Sequence, residues 1–139
     1  SNIGTSYIGD ASIPFADREA GVMKELRGHF KPEFLNRVDE VIIFNPLSEE
    51  HIGSIVKLQI TEVEKRLTER GYHLKVSEKA VALLVKEGYD PVYGARPLKR
   101  AIQRHLLNPL SVKILGGEVK DGSTIIAEVK GGEIVFRTE

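Results

Sequence analysis

No cysteine occurs among the 139 residues, which excludes a disulfide scaffold, a thiol nucleophile and a Cys-based zinc site. Such a chain fits a reducing compartment, and a cytoplasmic or organellar-matrix location is expected. An excess of either charge is missing too. Twenty Lys+Arg balance twenty Asp+Glu, against a globally basic nucleic-acid binder or a highly charged disordered tail. Long apolar runs are absent: the longest, residues 80–85 and Val41-Ile42-Ile43-Phe44, fall far short of the roughly 18 residues of a membrane span. His29, His51, His73 and His105 are widely separated, with no i,i+4 pair and no H-E-x-x-H, so scattered surface histidines and no metal are expected. The G-x-S-x-G of a hydrolase is absent, and Glu49-Glu50 reads as a pair placed by a helix dipole. The only methionine is Met23, and Ser1-Asn2-Ile3-Gly4 is neither an initiator nor a signal peptide. A piece of a longer protein is therefore expected, although Ser-Asn is also what a cleaved tag leaves behind.

What is present suffices for a core, at 41% hydrophobic and 29% charged residues, and for one domain or a domain with an appendage. Residues 1–14 lack periodicity and read as a loop. Val22, Leu26 and Phe30 predict an amphipathic helix over residues 17–30, weakened by Gly21 and Gly28, and Pro32 opens a short helix ending near Arg37. Val41-Ile42-Ile43-Phe44, closed by Asn45-Pro46, predicts a buried strand, and Pro46 a boundary. Ser48 then caps a helix carrying Ile52, Val56, Ile60, Val63 and Leu67 until Gly71. Tyr72, Leu74 and Val76 alternate as a strand, and Ser77 caps a helix ended by Gly88. Leu98, Ile102, Leu106, Leu110 and Ile114 fall four apart, with Asn108-Pro109 expected to break that stretch into two helices, Asn108 being the cap. Residues 124–129 and 133–137 flank Lys130-Gly131-Gly132 as a hairpin.

Arg96, Lys99, Arg100 and Arg104 place four positive charges within nine residues with no acid among them. A solvated helix face accounts for this pattern, as does phosphate binding by one or two of the arginines. Interleaved stacking aromatics are missing, against a nucleic-acid partner. A non-enzymatic module docking another protein through this basic helix is the alternative from a different class.

Two segments decide between these readings. Phe30-Lys31-Pro32-Glu33-Phe34-Leu35-Asn36-Arg37-Val38-Asp39-Glu40 and Gly88-Tyr89-Asp90-Pro91-Val92-Tyr93-Gly94-Ala95-Arg96-Pro97-Leu98 together resemble the second ATPase module of the Clp unfoldases in the AAA+ superfamily, most closely the ClpB-type disaggregases. The resemblance covers nearly the whole chain. It implies that Arg37 is an arginine finger reaching a neighbouring subunit's ATP. It further implies that Arg96, with Gly94 and Ala95, is sensor 2 on nucleotide bound in its own subunit, the two small residues allowing close backbone approach. Asn2, in Ser1-Asn2-Ile3-Gly4, matches sensor 1 at the end of a strand, where its amide orients the attacking water.

No G-x-x-x-x-G-K-[ST] occurs in the chain, nor an apolar strand ending in paired acids to hold Mg²⁺. The resemblance therefore implies an α+β arrangement: residues 1–45 as the tail of the large α/β ATPase subdomain, and residues 46–139 as the small C-terminal subdomain, helices on a short, mostly antiparallel sheet. It implies ATP/ADP with Mg²⁺ in the full-length protein, no tight nucleotide binding and no hydrolysis by this piece alone. Implied partners are neighbouring subunits of a homohexamer, unfolded or aggregated polypeptides and co-chaperones, with no nucleic acid and no membrane. The ATPase subunit of a Clp protease is the alternative within the family.

Overall fold

The computed structural model describes residues 2–10 and 12–139. The chain divides into two compact units, the first ending at Pro46 and the second running from Leu47 to Glu139.

In the first unit α1 (Thr5–Ile8) is followed by α2 (Phe15–His29) and α3 (Pro32–Leu35). The helix at Thr5–Ile8 replaces the loop expected there. Its start is closed by local bonds, the Tyr7 and Ile8 amides both donating to the Gly4 carbonyl, a one-turn device too short to leave a periodic signature. Gly21 does not break α2: a Cβ there would lie 2.5 Å from Tyr7 Cδ1, so the absent side chain is the space Tyr7 fills. Pro32 opens α3 as expected, its missing amide falling where a helix has no intrahelical acceptor for it. The strand predicted at Val41-Ile42-Ile43-Phe44 does not form. A strand needs a ladder partner, and no strand is present among the described residues of this unit. Val41, Ile42 and Phe44 are left 42, 67 and 82% exposed.

The second unit is built from α4 (Glu49–Thr68), β1 (His73–Val76), α5 (Glu78–Gly88), α6 (Leu98–Ile102), a π-helical turn (Gln103–Leu107), α7 (Asn108–Leu115), β2 (Thr124–Lys130) and β3 (Glu133–Thr138). Ser48 and Ser77 cap α4 and α5, their side chains accepting from the His51 and Ala80 amides. The sheet order is β1-β2-β3. β1 pairs with β2 in parallel, Leu74 opposite Ile125, and β2 with β3 antiparallel, Ala127 opposite Phe136. The parallel pair needs a long crossover, and α5 to α7 supply it. Leu74, Ile125, Ala127 and Ile134 join Ile52, Val56, Leu84, Leu98, Leu106 and Leu110 in one buried cluster.

The expected break at Asn108-Pro109 does not occur. Asn108 is helical (φ −63°, ψ −51°), and its amide donates to the Gln103 carbonyl five residues back. Its side-chain carbonyl accepts from Gln103 Nε2 at 2.6 Å rather than capping a backbone amide. Apolar residues spaced four apart drift by about 40° per step around a helix of 3.6 residues per turn. A wider π turn takes up part of that drift and eases the crowding a proline imposes on the preceding turn. Ile102, Leu106 and Leu110 thus all stay buried.

Candidate functional site

Sequence Tyr89-Asp90-Pro91-Val92-Tyr93-Gly94-Ala95-Arg96-Pro97 joins α5 to α6. An Asp-Pro pair favours turn initiation, and here the Asp90 carboxylate is the turn's organiser. Its Oδ1 accepts from the Val92 amide at 2.7 Å and the Tyr93 amide at 2.9 Å. The backbones of Asp90 and Gly94 exchange both of their hydrogen bonds, at 2.9 and 2.7 Å. The chain then turns once more, the Arg96 amide donating to the Tyr93 carbonyl, before Pro97 and α6.

Both ends of this turn are anchored. Gly88 at the end of α5 lies against Leu98 at the start of α6; a Cβ on Gly88 would sit 2.5 Å from Leu98 Cδ1 and 3.0 Å from its Cα. Tyr89 and Ala95 pack on the core. Gly94 has another reason to be glycine. A Cβ there meets nothing within 4 Å, but its φ is +62°, a region that side chains with a Cβ avoid. Within this chain the close contact is at Gly88, and Gly94 serves the turn's geometry while leaving open space beside its backbone.

Arg96 is exposed on this frame. Its guanidinium carbon stands 5.9 Å from the centre of the Tyr93 ring, within cation–π range. No ion pair among the described residues occupies it; those present are Lys57–Glu78, His105–Glu87, Lys113–Glu118, and Arg137 with Glu128 and Glu139. Lys99, Arg100 and Arg104 are also exposed, whereas Leu98, Ala101, Ile102 and Leu106 on the same stretch are buried. A planar fork of donors on a fixed turn amid uncompensated positive charge is the donor chemistry a phosphate requires. The side chains present therefore fit the nucleotide implied by the resemblance.

Arg37 lies in the first unit. The Arg37 amide donates to the Phe34 carbonyl and the Val38 amide to that of Leu35, which closes the turn after α3. Phe34 stacks on Phe30 at 4.9 Å between ring centres, with His29 edge-on to Phe30. Arg37 itself is exposed and has no ion pair among the described residues. Asn2 is exposed and precedes a turn; its carbonyl accepts from Thr5, through both amide and hydroxyl. It is not in a strand, for the same want of a ladder partner as Val41-Ile42-Ile43-Phe44. Gly94, Ala95 and Arg96 thus share one turn of the second unit, while Asn2 and Arg37 belong to the first. Asp90 and Tyr93 lie inside the segment that carries the resemblance, which assigns neither a role, although the Asp-Pro pair is itself a turn signal.

Among the described residues no three His, Cys, Asp or Glu side chains are grouped to hold a metal ion, and no helix is long and apolar enough to cross a membrane.

The model of the "C-terminal, D2-small domain, of ClpB protein" matches residues 47–127. The chaperone protein ClpB of Gloeobacter violaceus is 49% identical over 140 residues, covering 99% of this chain and 16% of that protein. ClpB of Pseudomonas putida is 50% identical over 137 residues, with 95% and 16% covered. Among solved structures, the S. cerevisiae Hsp104:casein complex in its extended conformation superposes with a TM-score of 0.82 at 37% identity, covering 99% of this chain and 24% of that one. The chain thus spans about one sixth of the length of these curated relatives. It belongs to the ClpB family of AAA+ chaperones, and residues 47–127 are the family's C-terminal D2-small domain, an α+β fold.

Proposed function

We propose that this chain is the nucleotide-sensing and subunit-coupling part of an ATP-driven hexameric protein disaggregase. Residues 1–45 are the end of the large ATPase subdomain and residues 46–139 the small subdomain. The observation that carries the proposal is Arg96: an exposed guanidinium, without an ion pair among the described residues, on a turn braced by Asp90 and anchored at Gly88 and Leu98. Held there, it binds phosphate oxygens of nucleotide in its own subunit and ties the orientation of the small subdomain to nucleotide state. Arg37, on the turn after α3, acts on the neighbouring subunit's site, where a guanidinium stabilises charge that builds on the transferred phosphoryl group. Asn2 is the candidate for orienting the attacking water. Nucleotide with Mg²⁺ supplies the hydrolysable bond. The phosphate-cradling loop is not among these 139 residues, so the chain alone is proposed to lack hydrolysis. A structural relative seen with casein supports unfolded polypeptide as what the full-length protein handles, with co-chaperones assisting in the cytoplasm or an organellar matrix.

The test uses the full-length protein with its first ATPase module disabled. Arg37→Ala and Arg37→Lys are both expected to suppress hydrolysis while nucleotide binding persists, lysine failing for want of the planar fork. Arg96→Ala is expected to weaken nucleotide binding or uncouple it from assembly. Wild-type hydrolysis in either Arg37 variant removes the finger; unchanged affinity together with unchanged hexamer formation in Arg96→Ala removes the sensor.

A further inference from the structure

We propose that Asp90 is the positioning residue for Arg96, holding the guanidinium in its phosphate-binding pose through the backbone of the intervening turn. The inference rests on the sensor reading of Arg96 and adds a residue to that site. Asp90 is half-buried and has no ion pair among the described residues. Its carboxylate is spent on the backbone, Oδ1 receiving the Val92 and Tyr93 amides. Its own amide and carbonyl close on Gly94. Four hydrogen bonds thus converge on one residue within a five-residue loop.

The geometry downstream depends on that closure. Tyr93 supplies the ring beside the Arg96 guanidinium and the carbonyl that accepts the Arg96 amide. Gly94 must hold φ +62° for the chain to return toward α6. Val92 and Tyr93 are 77 and 61% exposed, so apolar packing does not hold the tip of the turn. Without the Asp90 acceptor, two amides are left to water and the tip is free to populate other turns. Apparent affinity for a ligand falls in proportion to the competent fraction. Asp90 thereby acts on nucleotide without touching it.

An acceptor role and a charge role make opposite demands on substitution. Asparagine keeps an oxygen at the Oδ1 position and forms the same turn; glutamate keeps the charge but displaces the oxygen by a methylene; alanine keeps neither. In the full-length protein, with a fluorescent ADP analogue as probe, Asp90→Ala and Asp90→Glu are expected to raise the second module's Kd by about tenfold, equal to 1.4 kcal/mol. Asp90→Asn is expected to stay within about twofold of wild type. Amide hydrogen exchange at Val92 and Tyr93, measured without nucleotide, should rise in the alanine and glutamate variants and return to wild-type protection in the asparagine variant. In an Arg96→Ala background, Asp90→Glu should add no more than about twofold, because a positioning residue has nothing left to position.

The outcomes separate the two readings. If Arg96→Ala leaves both affinity and hexamer formation unchanged, the sensor role of Arg96 fails; if it leaves affinity alone unchanged, there is no phosphate-binding pose for Asp90 to hold and the positioning role fails. If Arg96→Ala weakens binding but Asp90→Ala and Asp90→Glu do not, the positioning role alone fails. A further tenfold loss from Asp90→Glu on top of Arg96→Ala overturns it in favour of general structural damage. Should Asp90→Ala not fold, the glutamate and asparagine pair decides the question.

Discussion

Residues 47–139 enclose Ile52, Val56, Leu84, Leu106, Leu110 and Ile125 at no more than 2% exposure, whereas the preceding unit buries only Val22 among its described apolar side chains. Both stretches carry apolar residues in the sequence, with the weaker periodicity in the first. The difference is whether the elements that bear them find partners. In the second unit the stripes of α4, α5 and α6–α7 meet one another and one face of the sheet. In the first, Phe15, Phe34, Val38, Val41, Ile42 and Phe44 stay open. An apolar pattern therefore reports a demand for burial, and only the structure shows whether the same unit meets it. The two arginines sit on opposite sides of this contrast: Arg96 on a loop anchored in a closed core, Arg37 on a short turn in a unit with little core of its own.

The largest effect should come from breaking the closed core. Leu106→Ala removes a fully buried side chain at the π-helical turn, and a loss of about 2–5 kcal/mol is expected from the cavity it leaves. Phe44→Ala, a comparable truncation at an exposed site, should change stability by no more than about 0.5 kcal/mol. Urea denaturation of the two variants measures both. Equal losses would show that the first unit's apolar side chains contribute to this chain's stability no less than those of the second, and the comparison would collapse.

A smaller effect is expected from overfilling instead of emptying the second unit. In Gly88→Ala the new methyl meets Leu98 Cδ1 at 2.5 Å and, less forgivingly, its backbone Cα at 3.0 Å. Side-chain rotation relieves the first contact but not the second, so α5 and α6 must separate. A cost of about 1–3 kcal/mol follows, and the turn bearing Arg96 should shift with α6. Chemical-shift changes at Tyr93 and Arg96 exceeding those at β3 would locate the strain. Wild-type stability in this variant would show that the two helices have slack where the geometry shows none.

The helices and the hairpin were legible because each carried a local signal. Ser48 and Ser77 stand where their hydroxyls reach the third amide, and alternation around Leu74 and through β2 and β3 marked the sheet. What was not legible depended on partners outside the local window. Val41-Ile42-Ile43-Phe44 has strand composition but no strand to pair with among the described residues of its unit. Asn108-Pro109 has the chemistry of a break, yet the four-residue spacing of Leu98, Ile102, Leu106 and Leu110 demanded a wider turn, and Gln103 supplied its partners, a carbonyl accepting the Asn108 amide and a side-chain amide donating to the Asn108 side chain. At the candidate site, Arg37, Gly94, Ala95 and Arg96 are marked by a motif, and Asn2 by a likeness to the end of a strand. Their supports, Asp90 through its carboxylate and Gly88 through its missing Cβ, emerge only when the backbone closes on itself.

The smallest expected effect concerns the second unit's polar rim. The Tyr72 hydroxyl donates to Asp121 Oδ1 at 2.8 Å, and beside it the Gly122 amide donates to the Gly71 carbonyl. Together they tie the loop after α4 to the loop before β2. The hydrogen bond to Asp121, then desolvation and the nearby carboxylate charge, all favour the neutral phenol and raise the Tyr72 pKa above its ordinary 10.0. A group with a raised folded-state pKa binds its proton more tightly in the native state. Its contribution is therefore present in full below the unfolded value and lost as pH rises through the folded one. Tyr72→Phe should accordingly be slightly less stable than the parent chain well below the ordinary tyrosine pKa of 10.0, with the two converging as pH rises above it. Other titrating groups are common to both proteins and cancel in the difference. Asp121→Asn, which keeps an acceptor but discards the charge, should give a shallower convergence. Denaturation midpoints of the three proteins between pH 7 and 11 make the measurement. Parallel curves for the parent and Tyr72→Phe would mean that the exposed hydroxyl is fully exchanged for water, leaving the apolar interior to hold the two loops.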